Sequence, residues 1–87
     1  SVSIPKLPVF TTEQGITKIN ENLENLKSWT DFFKLISYNK LKSKKIDKSK
    51  ISGMFSAVLE LSKQGTIMIM QKKIFDKLLI KQNNEQN

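Results

Sequence analysis

Cysteine and histidine are both absent from this chain of 87 residues. Their absence removes thiol nucleophiles, disulfides, zinc sites of the usual ligand types and imidazole acid–base chemistry together. A chain with no disulfide framework fits a reducing compartment without establishing it. Arginine is absent too: all 15 basic residues are Lys, so the planar fork that reads guanine edges and phosphates two bonds at a time is missing. The three glycines (15, 53 and 65) are isolated, which leaves no Gly-rich phosphate loop. No apolar run approaches the roughly 20 residues of a membrane span. The opening SVSIPKLPVF has no basic start, long apolar block or small-residue cleavage site, and does not read as a signal peptide.

What is present is enough for one domain and not two. A domain of this size buries only about 60–65% of its unfolded surface, so its core is modest. The chain begins at Ser1 rather than Met, which leaves open both a piece of a longer protein and a processed product. Fifteen Lys against 8 acidic residues give a net charge of +7. That charge draws the chain toward nucleic acid and acidic surfaces, while a Lys-only, Ile- and Asn-rich composition equally reflects a biased genome.

Pro5 and Pro8 forbid a helix at the start, so residues 1–10 read as an extended lead-in or linker. Thr11 and Gln14 match a capping box. After it, Ile16, Ile19, Leu23 and Leu26 recur at helical spacing, predicting a first helix whose only weak point is Gly15. A shorter second helix is expected over roughly Thr30–Ser37. Trp29, Phe32, Phe33, Leu35 and Ile36 make this the most aromatic part of the chain, and the plain reading is core packing. Residues 40–50 hold six Lys and read as a solvated loop. A third helix starts near Asp47, a good N-cap. Its broad apolar stripe is Ile51, Met54, Phe55, Val58, Leu59 and Leu61, with Ser49, Ser52, Gly53, Ser56 and Glu60 on a smooth opposite face. Gly65 sits where a left-handed residue ends a helix.

A hairpin follows, with strands expected over Thr66–Gln71 and Phe75–Lys81 around a Lys72–Lys73 turn. Three helices and a hairpin make an α+β, mainly helical fold in the order of a winged helix. The expected boundaries are 11–81 for the domain and 82–87 for a polar tail. No part is long enough to be stable alone, so the helix stripes and one hairpin face share a core.

A search for chemistry returns little. Glu13, Glu21, Glu24, Asp31, Asp47, Glu60, Asp76 and Glu85 form no spaced pair in an apolar setting. The Ser and Thr residues have no His partner to activate them. No cofactor, metal site or enzymatic activity is expected.

Two binding features remain. In the hairpin, alternation places Ile67 and Ile69 toward the core and Met68 and Met70 outward. On the second strand Phe75, Leu78 and Ile80 face the core, while Leu79 shares the outer side. An exposed Met68, Met70 and Leu79 would form an adaptable apolar patch of the kind that marks interfaces; the competing reading is that helix 1 or the lead-in covers it. Phe75 carries two readings, contact or core. The second feature is the Lys-rich approach to helix 3: Lys44, Lys45, Lys48 and Lys50 can meet phosphates, but the Ser, Gly, Ala and Glu60 of the helix are poor base readers. Sequence-specific DNA binding is therefore disfavoured and non-specific backbone contact stays open.

The stretch from Phe55 through Leu61 (FSAVLEL), followed by Lys63, Gly65, Gln71, Phe75, Leu78 and Ile80, resembles the end of segregation and condensation protein A, the bacterial kleisin. That family reads as an apolar FLALLEL helix, a Gly, a short strand ending in Gln, then FGDI. Here Asp76 and Lys77 replace the Gly and Asp of FGDI, and Met68 and Met70 stand where the family is usually polar. The resemblance implies a C-terminal winged helix that docks on the head domain of an SMC ATPase. It implies that ScpB is recruited by other parts of the full-length protein, and that the location is cytoplasmic and nucleoid-associated. On that reading Met68, Met70, Phe75 and Leu79 are the contacts. The alternatives are a DNA-binding winged helix using its Lys-rich segment, and self-association through the same patch.

Overall fold

The capping box sets the first helix. In the computed structural model, which describes residues 9–36 and 48–84, α1 spans Thr12–Glu21 with Thr11 as its N-cap. The Gln14 N–H donates to Thr11 Oγ1 at 3.1 Å, and the Thr11 N–H donates to Gln14 Oε1 at 2.8 Å. Two otherwise orphaned donors are satisfied reciprocally. The apolar stripe continues past Leu23 as expected, but the helix does not. Asn22 stops it by donating its N–H to the Ile19 carbonyl and its side-chain amide to the Lys18 carbonyl at 2.7 Å. A 3-10 turn over Leu23–Leu26 takes over. Its three-residue repeat keeps Leu23 and Leu26 on one side, and Leu26 is wholly buried.

The expected second helix is corrected at its start. Thr30–Asp31 form a short strand, β1, and α2 covers only Phe32–Ile36. The expected end at Ser37 lies outside the described residues. A β-branched Thr beside Trp29 suits an extended backbone. The Asp31 carboxylate then accepts the Phe33 N–H at 2.9 Å and turns the chain into the helix. The aromatic cluster is corrected too. Phe32 is buried, but Trp29 and Phe33 are 39% and 53% exposed.

Helix α3 spans Lys48–Lys63; the expected Asp47 cap lies outside the described residues, as do residues 1–8 of the lead-in and 85–87 of the tail. Its buried line is Gly53, Met54, Ala57, Val58 and Leu61. Gly53 was expected on the smooth outer face and is instead the point where α3 meets α1 and the lead-in. A methyl group there would lie 2.6 Å from the Phe10 carbonyl oxygen. On the facing helix, a methyl at Gly15 would lie 2.8 Å from the Gly53 carbonyl oxygen. Both backbones occupy the space a side chain would need. The Phe10 N–H donates to Ser49 Oγ at 2.8 Å and ties the lead-in to α3. The helix ends as expected on Gly65, at φ +83°. The Thr66 N–H reaches the Leu61 carbonyl and the Gly65 N–H reaches the Ser62 carbonyl, the paired bonds of a Schellman cap.

Strands β2 (Ile67–Met70) and β3 (Leu79–Gln82) form the hairpin, and β1 adds to the far side of β3, giving the antiparallel order β1-β3-β2. The second strand was expected from Phe75. It starts four residues later because Phe75 sits at φ +69° in the connecting turn, a conformation no strand accommodates. β3 also runs on to Gln82, and the Asn83 N–H continues the ladder to the Thr66 carbonyl. The element order α1-β1-α2-α3-β2-β3 is that of a winged helix. Its core joins Ile19, Leu26, Phe32, Met54, Ala57, Val58 and Leu61 of the helical part to Ile67 and Ile80 of the sheet. Each fully buried Ile or Leu contributes about 1.5–3 kcal/mol relative to an exposed one.

Candidate functional site

The two faces of the sheet follow from its register. Across β2 and β3 the pairs are Ile67–Gln82, Met68–Lys81, Ile69–Ile80 and Met70–Leu79. Across β3 and β1 they are Ile80–Thr30 and Leu79–Asp31. Directly opposed residues share a face and neighbours along a strand alternate. Ile67, Ile69, Ile80, Gln82 and Thr30 therefore point one way, toward the helices. Met68, Met70, Leu79, Lys81 and Asp31 point the other way.

Met68, Met70 and Leu79 thus come together on the outer face. All three are partly exposed, and none belongs to the core or packs against it. The Met70–Leu79 pair forms its apolar centre. Trp29, which precedes β1, joins this face although its sequence neighbourhood suggested the core. The Lys81 ammonium lies 5.8 Å from the centre of its ring, a cation–π distance. Sequence reasoning missed Trp29 because it placed the residue at the start of a helix. The signal was Trp-Thr-Asp read as alternation, which has meaning only once β3 is known to be its neighbour.

Ile69 was expected in the core and is corrected: it shares the inner face but is 37% exposed, lying toward the turn end of the hairpin, next to the closing Met70–Leu79 pair. Phe75 is likewise no core residue. It is 99% exposed, and its neighbour Ile74 is 83% exposed. The structure therefore separates Phe75 from the other three candidates, at the tip of the wing. The tip is held by hydrogen bonds. Gln71 Nε2 donates to the Asp76 carbonyl at 2.8 Å, the Asp76 N–H to the Lys73 carbonyl, and the Lys77 N–H to Asp76 Oδ1 at 2.7 Å.

The Lys-rich candidates lie at the start of α3. Lys48 is exposed and Lys50 partly buried, whereas Lys44 and Lys45 lie outside the described residues. Phe55 and Leu59 were expected to join the core stripe of α3. They are instead 44% and 45% exposed on its flank, with Phe55 packed edge-on against Phe32. The helix is broader than its buried line, which runs through Gly53, Met54, Ala57, Val58 and Leu61.

A cleft of about 40 Å³ between α1, α2 and α3, lined by Lys18, Ile19, Asn22, Leu35 and Met54, falls far below the several hundred Å³ of ordinary ligand pockets. Among the described residues no three acidic side chains are grouped to hold a metal ion, and no helix is long and apolar enough to cross a membrane.

A family model described as segregation and condensation protein ScpA matches residues 5–83. The chain belongs to the ScpA family. No curated protein and no solved structure matches it. ScpA proteins are kleisin-type structural subunits, not an enzyme family, and they serve chromosome segregation and condensation in a complex with SMC and ScpB. The match spans every described element from Val9 to Asn83, so the winged helix as a whole is the ScpA-family unit.

Proposed function

We propose that this chain docks on the head domain of an SMC ATPase through the outer face of its sheet. The observation that carries the reading is that Met68, Met70 and Leu79 gather on one face while contributing nothing to the core. Methionine suits such a face because its flexible, polarisable side chain adapts to a partner surface. Trp29 adds a large aromatic of the kind that dominates interface energies. Lys81 and Asp31 sit on the same face with opposite charges and fix orientation rather than supply affinity. ScpB engages other parts of the full-length protein, and the assembly works at the nucleoid in the cytoplasm. The chain itself hydrolyses nothing; the ATP belongs to the SMC heads.

The test is calorimetric titration of the chain with an isolated SMC head from the same source at two salt concentrations. Apolar docking is expected to hold its affinity as salt rises, because screening acts on exposed charges. Absence of head binding, or dimers of the chain in sedimentation that mask the same face, would overturn the reading.

A further inference from the structure

The wing tip stands apart from the docking face. Its connecting turn places Ile74 and Phe75 almost wholly in water. It does so at a cost, because Phe75 is the one non-glycine residue with positive φ among the described residues, a region bulky residues avoid. Three side-chain and backbone hydrogen bonds hold the turn in that shape. Neither the strain nor the exposed ring helps the fold.

The surrounding charge indicates what the ring meets. Lys72, Lys73 and Lys77 flank it, all exposed and none in an ion pair among the described residues. The one acid of the tip, Asp76, accepts the Lys77 N–H. A rigid apolar wedge between unpaired ammonium groups matches a stacked polyanion: lysines neutralise backbone phosphates while an apolar side chain enters a base step from the minor groove. A lipid surface fits less well, since burying Phe75 would carry the neighbouring Asp76 carboxylate toward hydrocarbon.

We propose that the wing tip is a DNA contact, with Lys72, Lys73 and Lys77 on the phosphates and Phe75 as the wedge. This does not rest on the docking proposal and uses none of its residues.

The experiment is fluorescence anisotropy of the 87-residue chain with a random 20-base-pair duplex carrying 2-aminopurine, across a salt series. Three phosphate contacts predict a log–log salt slope of about −2.7. The double variant Lys72→Gln/Lys73→Gln should reduce the slope by about 1.8. Phe75→Ala should weaken binding several-fold with an unchanged slope and abolish the rise in 2-aminopurine emission that accompanies unstacking. Both variants alter exposed side chains, and unchanged circular dichroism confirms that they fold. The proposal is overturned by any of four results: no duplex binding at about 50 mM salt, where such contacts are strong; wild-type binding by Phe75→Ala; loss of binding only in Lys48→Gln/Lys50→Gln; or Phe75-dependent binding to phosphatidylserine vesicles without DNA binding. The SMC-head titration of Phe75→Ala separates the two proposals. Unchanged head affinity keeps the tip with DNA, and lost head affinity with intact DNA binding moves Phe75 to the docking face and overturns this one.

Discussion

The α1–α3 crossing and the β2–β3 hairpin treat their surfaces in opposite ways. At the crossing, Gly15, Gly53 and Ala57 are buried, and a methyl added at either glycine would meet backbone at 2.6–2.8 Å. In the hairpin, five of the larger apolar side chains, Met68, Met70, Ile74, Phe75 and Leu79, remain outside the core. At the crossing the smallest residues let the two backbones meet, while in the hairpin large ones are left facing out. Side-chain size in this chain therefore does not by itself report burial. Backbone distance decides it at the crossing, and strand register decides it in the hairpin.

The sharpest way to break this contrast is at the crossing. Gly53→Val places branched carbons where the Phe10 carbonyl stands and is expected to destabilise the fold by about 3 kcal/mol, read as a lowered urea midpoint. Near-native stability would mean that α1 and α3 can separate freely. A smaller effect is expected where the first helix begins: Thr11→Ala removes half of the capping box and should cost about 1 kcal/mol, measurable by the same denaturation. The smallest effect lies in the hairpin and has the opposite sign. Phe75→Gly relieves the positive φ and should stabilise the chain by up to about 1 kcal/mol. A loss of stability there would show that the exposed ring serves the fold after all.

Local signals in the sequence located much of the fold. The Thr11–Gln14 capping box and the Gly65 helix end were legible because each depends on a few adjacent residues. The element order of the winged helix was legible because periodicity changes from helix to strand after Gly65. Strand β1 was not, since Thr30 and Asp31 are extended only through pairing with residues about fifty positions away. Gly53 looked like part of a smooth outer face because a glycine carries no mark of what approaches it. Of the candidate site, alternation correctly separated Met68 and Met70 from Ile67. It failed at Phe75, where it assumed a strand through a turn, and it could not bring Trp29 to the face without the sheet order.

The central claim is that the outer sheet face exists for a partner and not for the fold. The most direct measurement is a paired one on Met70→Asp: urea denaturation of the chain and calorimetric titration with the SMC head. The account predicts a stability change within about 0.5 kcal/mol, as for surface substitutions generally, together with a loss of head affinity of at least about tenfold, or about 1.4 kcal/mol. Unchanged head binding by a folded variant, or a large loss of stability from this one substitution, would contradict it.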